Sequence, residues 1–186
     1  MVLRGLSFSL LAPAAALVAP APVFAVDYLT PEQVQSEMFS GAKTFEMRQV
    51  MLTVEQQRAV EERLGEPLRR TSYDLQLARS EGELLGVVVV DDVIGKFERI
   101  TYAVGLGPDA VIRAVEILSY RESHGQEVRL PAWRRQFVGK RATSSLKVGE
   151  DIANISGATL SCTHITQGVR RIAAVVEELR RAGELE

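Results

Sequence analysis

The sequence predicts an α+β domain in which helices flank a twisted antiparallel β-sheet and a long amphipathic helix ends the chain. Short segments rich in β-branched residues follow one another with brief turns between them, which is typical of antiparallel strands. The last segment repeats its apolar residues at helical spacing. With 186 residues, of which 46% are hydrophobic, the chain has enough apolar side chains for one core.

The N-terminal residues 1–25 are predicted to be a signal peptide. Arg4 is their only charged residue, residues 6–18 form an apolar run, and residues 23–25 form a small-x-small cleavage site. The alternative is a retained membrane anchor, but the run contains a proline and is shorter than a membrane span. We therefore expect residues 26–186 to be exported, as a periplasmic domain or one held at the outer face of the cytoplasmic membrane.

The first helix is predicted from its capping residues. Thr30, Pro31 and Gln33 are an N-cap, a first-turn proline and a capping-box glutamine. The helix should extend to about Phe39. Residues 44–52 then alternate between apolar and polar side chains, which predicts a half-buried strand.

A second helix and four more strands follow. Thr53 and Gln56 repeat the capping-box pattern, and Gly65 should end this helix. The predicted strands are the alternating residues 72–77, the apolar run 84–90, the alternating residues 100–104 and the β-branched segment 110–120. Because residues 84–90 are apolar throughout, we expect that strand to be covered on both faces.

The long helix is predicted from a single apolar stripe. The stripe consists of Ile165, Val169, Ile172, Val176 and Leu179. Their spacings of four and three residues place them on one helix face, and Gly183 should end the helix. Between residues 125 and 155 the pattern weakens, apart from a helical turn predicted near Trp133.

Composition argues against several classes of function. A net charge of −2 with scattered Lys and Arg residues disfavours nucleic-acid binding. Cys162 is the only cysteine, so no internal disulfide can form, and we expect it to be a buried small residue. His124 and His164 are too few for a histidine metal site. No serine with a nearby histidine and carboxylate pattern is evident, which argues against an enzyme of the hydrolase type.

The segment before the long helix joins a glycine turn to several hydroxyl groups. It consists of Ser156, Gly157, Ala158, Thr159, Leu160 and Ser161. The first N–H groups of a helix lack internal partners and carry partial positive charge, so a phosphate can bind there. The same pattern is also an ordinary helix cap, and the local sequence alone leaves both interpretations open.

Ser156–Thr159 resembles the flavinylation motif S/T-G-A-T of the FMN-binding domain family. This family includes periplasmic subunits of sodium-pumping NADH:quinone reductase and of the Rnf complex. The resemblance is best from Gly86 to Leu179. Residues 96–98 with 100–102, then residues 115–118, then Glu122–Gly125 look like successive strands of that domain. The last of these segments also resembles the family's E-T-P-G loop.

The resemblance implies an FMN held as a phosphoester on Thr159, attached from FAD by a flavin transferase, with Ser161 as the second-choice acceptor. The other cofactor-binding residues that it implies are Ser156, Gly157, Ala158 and Leu160 of the motif and Glu122 and Gly125 of the loop. It also implies an electron carrier and not an enzyme acting alone, with redox donor and acceptor proteins such as those of a membrane electron-transport complex. No metal is expected.

One position departs from the family pattern. Ala153 stands where the family usually has Asp, three residues before Ser156. If the transferase recognises that carboxylate, attachment would be slow or absent, and FMN would bind without a covalent bond or not at all. The alternative function is therefore a non-covalent flavin- or phosphate-binding module without a redox role. A complete reductase is disfavoured, because no second cofactor site is evident.

Overall fold

The computed structural model describes residues 29–185, so the predicted signal peptide lies outside the described part of the chain. The helices are α1 (Pro31–Met38), α2 (Val54–Leu64), α3 (Pro131–Arg134) and α4 (Thr159–Arg181), and the strands are β1 (Thr44–Met51), β2 (Ser72–Ser80), β3 (Glu83–Ile94), β4 (Arg99–Leu106) and β5 (Ile112–Ser119). Short 3-10 turns at Gln126–Arg129 and Arg135–Phe137 flank α3.

The five strands form one antiparallel sheet in the order β1-β2-β3-β4-β5, which confirms the predicted α+β class. β3 is covered on both faces, as its apolar run predicts. Val87 and Val89 point into the main core, to which α2 and α4 contribute, whereas Val88 points into a smaller cluster beneath α1. The backbone of such a strand hydrogen-bonds to its two neighbouring strands, and its side chains pack against a layer on each face of the sheet.

The predicted capping boxes are confirmed. The hydroxyl oxygens of Thr30 and Thr53 accept hydrogen bonds from the N–H groups of Gln33 and Gln56, at 3.3 and 3.2 Å. β1 is present as predicted. Its alternating pattern predicted that Met47 is buried, and this is wrong, because Met47 is 70% exposed. β1 is an edge strand, and among the described residues no helix packs over this side chain.

α4 covers one face of the sheet with the predicted stripe. All five stripe residues are buried, and the helix packs against α2, β3 and β4. Gly168 lets the helix approach the sheet, because a methyl group there would overlap the hydroxyl of Tyr102. That hydroxyl donates a hydrogen bond to the buried carboxylate of Asp91 at 3.1 Å. The first residue of α4 is Thr159, so this packing fixes the position of the motif.

The structure corrects two details of the chain path. Residues 96–98 belong to the turn between β3 and β4 and not to a strand, and β4 continues through Gly105, beyond the end that its alternating pattern predicts. The predicted helical turn near Trp133 is confirmed as α3. None of the helices in the described range combines the length and apolar character needed to cross a bilayer.

Candidate functional site

A cleft of about 510 Å³ opens beside the first turn of α4. One wall is the turn between β3 and β4, and the other is the loop that follows β5. Residues that line the cleft include Lys96, Phe97, Glu122, His124, Thr159 and Leu160. Small-molecule and cofactor sites commonly have volumes of about 300–1,000 Å³, so the space suits a ligand of cofactor size.

The two candidate hydroxyl groups lie in different environments. Thr159 is exposed on the cleft, and its Oγ1 accepts a hydrogen bond from Nδ2 of Asn154 at 3.1 Å. Ser161 also lines the cleft but is only 3% exposed, and its Oγ shares a hydrogen bond of 3.1 Å with the buried hydroxyl of Tyr120. The more exposed of the two residues is therefore Thr159.

The backbone around the motif is arranged to receive an anion. Gly157 has a φ of 81°, in the left-handed region where glycine avoids the strain of a side chain. The N-cap of α4 is Ala158, whose methyl group cannot accept a hydrogen bond, so no side chain caps this end. The N–H groups of the first turn and the positive end of the helix dipole remain available to a phosphate. Ser156 is exposed next to this turn.

The loop after β5 is packed directly beneath the motif. Gly125 has a φ of 85°, and a methyl group there would overlap the side chain of Ala158. Tyr120 holds the same loop, because its hydroxyl donates to the carbonyl oxygen of His124 at 2.6 Å. Gly125 therefore supports the floor of the cleft from below, while His124 lines the cleft itself.

Glu122 connects the two walls of the cleft. Its side chain is 6% exposed, and its Oε1 accepts hydrogen bonds from the N–H groups of Phe97 at 2.7 Å and Glu98 at 3.0 Å. Burial alone would raise the pKa of Glu122, but these backbone hydrogen bonds outweigh burial and lower it. The carboxylate is thus ionised at neutral pH and fastens the β3–β4 turn to the loop.

Ala153, the residue that departs from the family pattern, is fixed by hydrogen bonds to its backbone. Ala153 donates its N–H to Oε1 of Gln136 and accepts from Nε1 of Trp133, both at 2.8 Å. The nearby Asp151 carboxylate bonds Nζ of Lys140 and the N–H of Leu146, each at 3.1 Å. Burial would raise the pKa of Asp151, but these bonds outweigh burial and lower it to about 2. Asp151 is therefore committed to its own loop and does not replace the missing carboxylate.

Sequence reasoning missed several residues of the cleft. Phe97 is 74% exposed at the tip of its turn, and Nζ of Lys96 lies 4.9 Å from the ring centroid. Three other aromatic residues, Tyr102, Tyr120 and Trp133, are buried in the core. Cys162 is buried as expected. An aromatic residue in a two-strand turn was the one signal in the sequence that could have singled out Phe97.

Comparisons with known proteins match the part of the chain that contains the cleft. The sequence model of the FMN-binding domain family matches residues 95–174, a span that begins in the β3–β4 turn and ends within α4. A search of curated proteins found no match.

Two solved structures are similar in fold. A subunit of the Na⁺-translocating NADH-quinone reductase from Parabacteroides distasonis has a TM-score of 0.53 at 13% identity, covering 81% of this chain and 84% of that chain. NqrC of Shewanella oneidensis has a TM-score of 0.46 at 17% identity, covering 82% and 84%. The former shares the α+β fold. The match of this family model to residues 95–174 supports FMN as the cofactor of this chain.

Proposed function

We propose that this chain is an exported electron carrier whose FMN is held through a phosphoester on Thr159. The observation that carries the proposal is the exposed hydroxyl of Thr159, which lies at the start of α4 and lines a cleft of cofactor size. Bound FMN would supply one- and two-electron redox chemistry. The similar chain from Parabacteroides distasonis is named as a subunit of a quinone reductase, which favours electron transfer.

The residues of the cleft suit the parts of FMN. The N–H groups of the first turn of α4, together with Gly157, would receive the phosphate. Phe97 and Leu160 are large apolar side chains exposed at the cleft, and they offer surface to an aromatic ring system. Lys96 adds a cation on the side opposite the helix. The cleft thus combines an anion site with an apolar wall.

Attachment requires a balanced exchange at phosphorus. Thr159 Oγ1 would form a bond to the flavin-side phosphorus of FAD, while the bond from that phosphorus to the bridging oxygen breaks and AMP leaves. The hydroxyl proton passes to the transferase or to solvent. The resulting phosphodiester carries one negative charge at the N-terminus of α4, where the helix dipole stabilises it.

Export and redox partners belong to the same proposal. Residues 1–25 would direct the chain out of the cytoplasm, and residues 26–186 would form the mature domain. Donor and acceptor proteins, such as those of a membrane electron-transport complex, would exchange electrons with the bound cofactor. Recovery of mature chains that begin at Val26 from the periplasm is the expected result, whereas membrane-bound chains that retain residues 1–25 would contradict cleavage.

The attachment is tested by intact mass after co-expression with a flavin transferase. The wild-type chain should gain the mass of one FMN minus one water, and Thr159→Ala should gain nothing. Ser161→Ala serves as the matched control and should keep the full gain, because Ser161 is buried. A gain that persists in Thr159→Ala would move the attachment elsewhere. A yellow protein that releases its flavin on denaturation would instead assign non-covalent binding.

A further inference from the structure

We propose that Asn154 is a positioning residue for the attachment of FMN, acting by holding the acceptor hydroxyl of Thr159. The inference rests on the proposed function and concerns the same site. Nδ2 of Asn154 donates to Oγ1 of Thr159 at 3.1 Å. Within residues 29–185, no other side chain hydrogen-bonds this oxygen.

The backbone that carries Asn154 is fixed from both sides. The preceding residue, Ala153, has its N–H and its carbonyl oxygen bonded to the side chains of Gln136 and Trp133. The carbonyl oxygen of the following residue, Ile155, accepts from the N–H of Ala158 at 3.0 Å. The Asn154 side chain therefore extends from a backbone with little freedom to move, although the side chain itself is exposed.

The hydrogen bond has a direct consequence for the reacting oxygen. A threonine hydroxyl has one hydrogen and two acceptor lone pairs. With one lone pair occupied by the amide of Asn154, the other lone pair and the O–H remain for the incoming phosphorus and for the departure of the proton. The amide also restricts the rotamer of Thr159, so less orientational freedom has to be lost when FAD arrives.

An amide cannot act as a general base, so Asn154 positions the hydroxyl without taking its proton. Asp151, the nearest acidic residue earlier in the chain, is bonded to Lys140 and Leu146 and is not available for this task. The proposal leaves removal of the proton to the transferase or to solvent. The expected role is a contribution to the rate of attachment and not to the stability of the fold.

The test compares initial rates of FMN attachment by a purified flavin transferase with FAD, followed by intact mass. Asn154→Leu has a similar shape but no hydrogen-bonding group, and it should slow attachment about fivefold to tenfold. Asn154→Gln keeps an amide donor on a longer side chain and should slow attachment less than Asn154→Leu does. The matched control is Gln49→Leu, which removes an exposed amide bonded to Asp74 at 3.1 Å on the distant strand β1 and should leave the rate unchanged.

Three outcomes would overturn the inference. They are a wild-type rate in Asn154→Leu, equal slowing in the Leu and Gln variants, and slowing that accompanies a lower thermal unfolding midpoint in both. A wild-type chain that gains no mass refutes the attachment itself and is distinguishable from these results. The contact is also tested in the flavin-free chain by NMR. The methyl resonance of Thr159 should shift in Asn154→Leu, and an unchanged resonance would show that the contact is absent.

Discussion

Gly125→Ala should destabilise the domain because Gly125 lies where the loop after β5 meets the flavin motif. Its φ of 85° lies in the left-handed region. A methyl group added at Gly125 would overlap the side chain of Ala158 and would lie 2.7 Å from the hydroxyl of Tyr120. Both neighbours are buried, so neither can move aside freely. The variant therefore suffers from two separate effects, backbone strain and steric overlap.

The size of each effect follows from the structure. A non-glycine residue in the left-handed region costs about 1–2 kcal/mol, and forcing an extra methyl group into packed surroundings costs about 1–3 kcal/mol more. Gly139 provides the matched control, because its φ is 81° but an added methyl group would meet nothing within 4 Å. In Gly139→Ala the free energy of unfolding should therefore fall only by the cost of the backbone strain. The overlap with Ala158 and Tyr120 should appear as the difference between the two variants.

The assay is urea unfolding of the flavin-free chain, with the free energy of unfolding taken from the midpoint and slope. We expect the free energy of unfolding to fall by about 1–3 kcal/mol more in Gly125→Ala than in Gly139→Ala. Equal losses would refute the argument, since they would show that the loop does not pack tightly under the motif. A normal loss in Gly139→Ala with no loss in Gly125→Ala would refute the left-handed conformation at Gly125 as well.

Two further predictions concern charge and helix packing. Asp151→Asn should lower the free energy of unfolding at neutral pH. The folded pKa of about 2 lies below the ordinary value of 3.8, so the carboxylate's contribution is present above pH 4 and is lost as the pH falls towards 2. Urea unfolding at about pH 7 and about pH 2.5 should show the variant and wild type converging at the lower pH, and a constant gap would contradict this. Gly168→Ala should also destabilise by about 1–3 kcal/mol, despite the higher helix propensity of alanine, because its methyl group would overlap the Tyr102 hydroxyl that bonds Asp91. A higher thermal unfolding midpoint in Gly168→Ala would show that the helix propensity of alanine outweighs the overlap with Tyr102.

Local rules were enough to predict most of the fold. The capping boxes at Thr30 and Thr53 and the stripe of α4 depend on neighbours within a few residues, so the sequence contains the whole signal. The exposed Met47 and the turn at residues 96–98 depend on which elements pack where. No periodicity in the sequence tells an edge strand from a central one, so those details needed the tertiary structure.

The same division applies to the site. The bend at Gly157 and the helix that starts at Thr159 were accessible from the sequence. The difference in exposure between Thr159 and Ser161 was not, because it arises from the way α4 lies on the loop that carries Tyr120. The exposed ring of Phe97 in the cleft likewise results from the fold of distant segments.

The side chains around the cleft are of two kinds: buried ones whose hydrogen bonds stabilise the fold, and the exposed hydroxyl of Thr159. The ties between its walls are buried: Glu122 fastens the β3–β4 turn, and Tyr120 fastens the loop to the start of α4. A bond formed at Thr159 would replace one exposed hydrogen bond, from Asn154. A bond at Ser161 would have to break the hydrogen bond to Tyr120 and uncover a buried side chain. The proposed attachment at Thr159 therefore agrees with where the domain places its structural hydrogen bonds, and covalent FMN at this residue should leave the fold intact.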